Sequence, residues 1–222
     1  FMGYGNNIAR IILPLAALAF LCGCTGKLPD SPPDGAVFTK NFIQLYVIPD
    51  RMQLQGYPTE ISVSLRGRRL SPQGFGEQAK KEFEELSIYY SDVSYNRRKV
   101  PYSDRALGKE YKTISVTCDR EFDAQHPAGS TLDDIIKLCA ASARDYIASG
   151  YSKDFKIPPK PEGFYDSAYR GWPYVPVFKF LDEIIPADLV LIQELFYLTF
   201  TETPAAGEYE FTVTISDGQD DI

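Results

Sequence analysis

Gly207-Glu208-Tyr209-Glu210-Phe211-Thr212-Val213-Thr214-Ile215-Ser216-Asp217-Gly218 is the stretch that decides the fold class. Phe211, Val213 and Ile215 alternate with Thr212 and Thr214, the period of a strand with one buried and one wet face. Asp217-Gly218 then reads as a turn. The same alternation recurs upstream in Ile61-Ser62-Val63-Ser64-Leu65 and again over residues 113–118, where Ile114, Val116 and Cys118 share a side. Residues 42–48 are β-like as well. Residues 189–202 are the longest strand candidate, with Ile192, Phe196, Leu198 and Phe200 on one face. Gly67 and the Pro72/Gly74/Gly76 cluster break the 61–65 run. Residues 78–86 suit a helical turn or two, and 86–95, rich in Tyr and Ser, reads as a strand.

One amphipathic helix is expected among these strands, over residues 131–149. Ser130 or Thr131 followed by Asp133 and Asp134 fits a capping box at the positive end of a helix dipole. Leu132, Ile135, Ile136, Cys139, Ala143, Tyr146 and Ile147 recur at i, i+3, i+4, i+7 spacing, and Gly150 suits the C′ position.

Residues 151–178 show no period and hold Pro158, Pro159, Pro161, Pro173 and Pro176. A loop of that length is either functional or disordered, and its aromatic residues argue against disorder. Tyr165, Tyr169, Trp172 and Tyr174 are candidate ligand-binding residues, because sugar rings stack on exposed aromatic faces. Arg170 is a polar partner for the sugar hydroxyls. The competing reading folds the same rings down onto the sheet, as aromatics bury most of their area.

The N-terminal residues address a different question, where the protein resides. Arg10 is the one charge in residues 1–23, and an apolar run ends on Leu21-Cys22-Gly23-Cys24. The run is shorter than the about 20 residues that span a bilayer and has the order of a signal peptide. Residues 24–36, with Pro29, Pro32 and Pro33, read as a semi-extended tether. Residues 37–222 are left as the folded domain. Its final strand is nearly absent: either the sequence is a piece of a longer one, as Phe1 before Met2 also suggests, or a partner supplies the strand.

Leu21-Cys22-Gly23-Cys24 looks like a bacterial lipobox, and Gly207-x-Tyr209-x-Phe211 resembles the tyrosine corner of immunoglobulin-like sandwiches. With the Pro-rich tether, the chain resembles the cell-envelope lipoproteins of Gram-negative gut anaerobes that carry an immunoglobulin-like domain. The resemblance rests on about the first 35 and the last 30 residues. It implies an antiparallel β-sandwich, lipidation at Cys24 and, with Thr25 rather than Asp next, an outer-membrane destination whose facing stays open. More than one acyl chain makes such an anchor stable.

With net charge −7, 23 basic and 30 acidic residues, the chain is a poor partner for nucleic acid, and membrane attachment rests on the lipid. Cys118 and Cys139 could pair in an oxidising envelope; equally, each falls on the apolar side of its element and would serve as a small buried hydrophobe. No Cys-x-x-Cys or His cluster suggests a metal, and no phosphate loop or nucleophile elbow suggests a cofactor or a catalytic residue. His126 lies near Asp123 and Ser130, where a turn histidine is the plainer reading than a triad. Glu183, Asp188 and Glu194 are the acids to inspect for glycoside hydrolysis. Arg66, Arg68, Arg69 and Arg97, Arg98, Lys99 are two short basic clusters, able to hold an anionic polymer if strand ends unite them and otherwise guarding strand edges. The functional expectation is a non-enzymatic binding or adhesion module for a glycan or another envelope protein. The alternatives are an assembly subunit completed by strand addition and, third, a hydrolase.

Overall fold

The computed structural model describes residues 8–12, 35–74, 76–204 and 206–222. Leu21-Cys22-Gly23-Cys24, with the proposed lipid site Cys24, and the tether up to residue 34 lie outside them. The longest elements are β3 (Leu45–Tyr57) and β4 (Glu60–Leu70), an antiparallel hairpin closed by the two residues Pro58-Thr59, with Tyr57 opposite Glu60. Gly67 does not end a strand, as its sequence position suggests. It lies inside β4 opposite Pro49, where the register slips between Pro49 and Arg51. Pro49 has no N–H to give the ladder, and a Cβ on Gly67 would stand 2.1 Å from the Ile48 carbonyl oxygen, so the pair needs a glycine there.

Around the hairpin, β6 (Arg105–Leu107), β10 (Leu195–Phe200), β8 (Ile136–Ser142) and β9 (Val175–Phe180) complete a six-stranded sheet in the order β6-β3-β4-β10-β8-β9. The expected antiparallel pairing fails at one place, since β3 and β6 run parallel; the sheet is mixed. A second sheet holds β7 (Thr113–Cys118) and β11 (Glu208–Ser216), the stretch quoted first. On its other edge β11 pairs with β1 (Ile8–Ile12), which falls within the expected signal peptide. The Asp217-Gly218 turn is formed, and the chain returns so that Ile222 and Ile215 exchange backbone hydrogen bonds of 2.9 and 3.1 Å. A small sheet pairs β2 (Val37–Thr39) with β5 (Arg97–Lys99).

The chain is mainly β, as the alternation requires. One core takes Leu45, Val47, Ile61, Val63, Leu65, Phe196 and Leu198 from the larger sheet and Ile114, Val116, Phe211, Val213 and Ile215 from the smaller. Tyr46 and Leu70 point to the other face of the larger sheet, where α1 (Glu77–Tyr89) covers them with Ala79 and Phe83. Strong helix formers over residues 77–86, with a Lys80–Glu77 pair at 2.6 Å in the first turn, set up α1, which runs on through residues 86–89 in place of the start of the strand expected over 86–95.

The helix expected over 131–149 is not formed; residues 136–142 are β8. Ile136, Leu138 and Ala140 enter the first core while Cys139 faces a third cluster, so β8 is buried on both sides and its apolar run fits either period. The capping box is replaced by long-range bonds. Asp133 accepts from the Val116 N–H at 2.9 Å and from Ser115 Oγ, and Asp134 goes to His126. Only α2 (Arg144–Ala148) is helical, and Gly150 follows it at φ 66° as expected of a C′ glycine.

Candidate functional site

The outward face of the β3–β4 hairpin is polar at alternate positions because the inward face is the core. Gln53 lies opposite Ser64 and Gln55 opposite Ser62, with Leu195 of β10 next to Ser64 and Tyr197 next to Ser62. Gln53, Gln55, Ser62 and Ser64 form the floor of an open cleft of about 770 Å³, lined also by Arg66 and, at its sides, Arg105, Arg170 and Glu194, with Leu54 and Leu195. Glu194 is 9% exposed and is the one carboxylate among the described lining residues; it pairs with Arg105 at 3.2 Å. Arg170 is braced by its Nε, which donates to Oε1 of buried Gln193. Arg66 Nε reaches Gln53 Oε1 at 3.4 Å. Three guanidinium groups against one carboxylate make a positive cleft on an acidic chain, and concave low-dielectric walls strengthen such a field.

No family model, no curated protein and no solved structure matches the chain.

Of the residues singled out in the loop, the structure brings Arg170 to the cleft and spreads the others. Tyr174 is buried, and its hydroxyl donates to Asp104; burial and that carboxylate push its pKa well up. Trp172, 37% exposed, packs edge-on against Tyr146 with centroids 5.2 Å apart, and its Nε1 donates to the Phe155 carbonyl at 3.1 Å. Tyr169, also 37% exposed, meets Phe164 edge-on, and Tyr165 lies against Tyr197 at 4.4 Å. The Tyr165 hydroxyl bonds Glu60, whose carboxyl is pushed up by burial. The rings belong to two different clusters and form no shared platform.

The other candidates are also placed. His126 has Asp123 2.8 Å from Nδ1 and Asp134 3.0 Å from Nε2, so both ring nitrogens are engaged, while Ser130 Oγ donates to the Pro127 carbonyl. Asp188 pairs with Lys179 at 2.8 Å, away from Glu194. The basic clusters are not united: Arg66 lines the cleft, whereas Arg97 donates to the Tyr151 carbonyl and Arg98 to that of Ala36, bracing loops. Cys118 and Cys139 are both free, and the pairing considered for them is not formed. Cys118 lies between the sheets and Cys139 on the far side of the larger one.

Gln53, Gln55 and Arg105 were not read from the sequence as site residues. The alternation Met52-Gln53-Leu54-Gln55 was the available signal, hidden because Pro49 reads as the end of a strand.

Proposed function

We propose that this chain is a non-enzymatic binding module of the Gram-negative cell envelope, held to the outer membrane by a lipid on Cys24 and recognising its ligand in the cleft over β3 and β4. The observation that carries the binding half is the cleft itself: polar side chains in register on adjacent strands, flanked by braced arginines. The anchoring half rests on Leu21-Cys22-Gly23-Cys24 and the Pro-rich tether. We read the two sheets around one core as a sandwich of immunoglobulin-like kind, elaborated by α1 and the 151–174 loop. Buried Tyr209, two residues before buried Phe211, supports that reading.

The test expresses the chain in a Gram-negative host with labelled palmitate and compares wild type with Cys24→Ala. Label in the outer-membrane fraction that the variant lacks supports the anchor, and an unlabelled wild type refutes it. Binding is tested by glycan array against Ser64→Trp, which fills the floor of the cleft. Wild-type binding that the variant retains would place recognition elsewhere.

The pairing of Ile8–Ile12 with residues 208–212 favours strand addition as a second reading. Removal of a leader up to Gly23 would take β1 away and leave that edge of β11 for an extended segment of a partner. A processed chain that stays monomeric and captures no partner strand would argue against it.

A further inference from the structure

Resting on the binding-module reading, we propose that the cleft takes an anionic saccharide chain whose carboxylate or sulfate groups are held by Arg66 and Arg170. Arg105 is neutralised by Glu194, but among the described residues neither Arg66 nor Arg170 makes an ion pair with a carboxylate. Among the described residues each is engaged through Nε alone, which leaves the two Nη groups of each guanidinium as a fork. A planar fork matches the oxygens of a carboxylate or sulfate, and a side chain already braced loses little freedom on binding.

The floor between them suits a ligand that repeats polar groups along its length. Ser62, Ser64 and Gln55 make no side-chain hydrogen bond among the described contacts, and successive rows on a strand lie about 7 Å apart. Ser62 and Ser64 are small enough to let a ring approach the backbone. A smaller cleft of about 190 Å³ shares Arg66 and Glu194 and adds Arg51 and Arg69. Arg51, opposite Arg66 on β3, extends the basic lining at that end, which fits a chain better than a single sugar.

The same lining argues against other polyanions and polymers. Among the described residues no aromatic lines the larger cleft, so they offer no platform on which bases would stack. Among the described lining residues Leu54 and Leu195 are the only large apolar ones, too few to anchor an apolar peptide.

The test titrates the full chain calorimetrically with polygalacturonate, heparin, neutral dextran and poly-glutamate, at about 50 and about 300 mM salt. Binding of at least one acidic glycan is expected, weaker at the higher salt, with dextran and poly-glutamate inert. Polygalacturonate or heparin as the better ligand tells carboxylate from sulfate. Arg66→Gln and Arg170→Gln should each weaken binding about tenfold or more and flatten its salt dependence. Both side chains reach solvent, so an unchanged unfolding midpoint will show that the fold is kept. Equal binding of dextran, unaffected by either substitution but lost in Ser64→Trp, overturns the anionic ligand and leaves the binding module standing. Poly-glutamate bound as well as the glycans overturns the saccharide. No binding of any of the four overturns the proposal, and a glycan array silent as well overturns the binding reading with it.

Discussion

The Tyr151 hydroxyl donates a 2.8 Å hydrogen bond to Oδ1 of Asp92, a carboxylate with no exposed surface. The same group accepts the backbone N–H of Phe42 at 2.6 Å and of Ile43 at 2.8 Å. It thus joins the segment leading into β3, the turn after α1 and the residue after Gly150. Asp92→Ala strands three buried donors and should cost about 3 kcal/mol or more, while Tyr151→Phe removes one and should cost about 1 kcal/mol. Urea unfolding of the two variants measures both. Equal stabilities would mean that Asp92 is not the shared anchor.

His126 makes stability depend on pH. Its hydrogen bond to Asp123 and then that to Asp134 raise its pKa above the ordinary 6.5. The stabilisation from the charged ring is fully present below the unfolded value and is lost as pH rises through the folded one. Unfolding midpoints taken from acidic to mildly alkaline pH should fall across that window, and His126→Gln should remove the fall. A variant that keeps the same slope would assign it to another group.

Lys99 acts with the opposite sign. Its Nζ sits 2.8 Å from Asp104 and 3.1 Å from the centroid of Phe42, and burial pushes its pKa down to about 8 although Asp104 pulls it up. Between about 8 and its unfolded value of 10.5 the unfolded chain holds a proton that the folded chain has released, so stability rises with pH there. Lys99→Met should abolish that rise, read below about pH 9.5 so that tyrosine ionisation does not intrude. An unchanged slope in the variant would refute the assignment.

Gly67→Ala should be among the most damaging single-methyl changes. The added Cβ would lie 2.1 Å from the Ile48 oxygen and 2.8 Å from the Asp50 N, and both obstacles are backbone. A loss of about 3 kcal/mol or more is expected, against less than about 0.5 kcal/mol for Ser64→Ala on the wet face of the same strand. Denaturant titration separates the two.

Cys118 and Cys139 should behave as buried thiols. Burial raises both thiol pKa values and suppresses the reactive thiolate. Intact mass should show two free thiols in residues 35–222 whether or not reductant was used, and alkylation should wait for unfolding. Rapid labelling of the native protein would contradict their placement.

How far the strands were legible depended on what lay on each side of them. Residues 61–65, 113–118 and 208–215 each have one wet face, and the two-residue period survives in the sequence. β8 has none: with Leu138 in one core and Cys139 in another, Leu138-Cys139-Ala140-Ala141 carries no alternation, and the helical spacing of its neighbours filled the gap. The continuation of β3 past Pro49 was masked for a different reason, since the bulge that accommodates the proline exists only against Gly67. At the site, Arg170 and Glu194 were visible as candidates, while Arg105 gave no local sign of belonging with them.

Local pattern determined what a strand's own two faces require: the mainly β class, the turn at Asp217-Gly218, and the glycine that follows α2. Alternation and turn chemistry are properties of neighbours along the chain, so they can be read there. The tertiary structure decided the rest. It gave Asp133 to Val116 rather than to a helix cap, sent Cys118 and Cys139 to different sides of the sheet, and set Arg66, Arg105 and Arg170 around one floor. Those outcomes depend on strand order and register, which are fixed by side chains meeting across many residues of intervening sequence. No local period records which strands become neighbours.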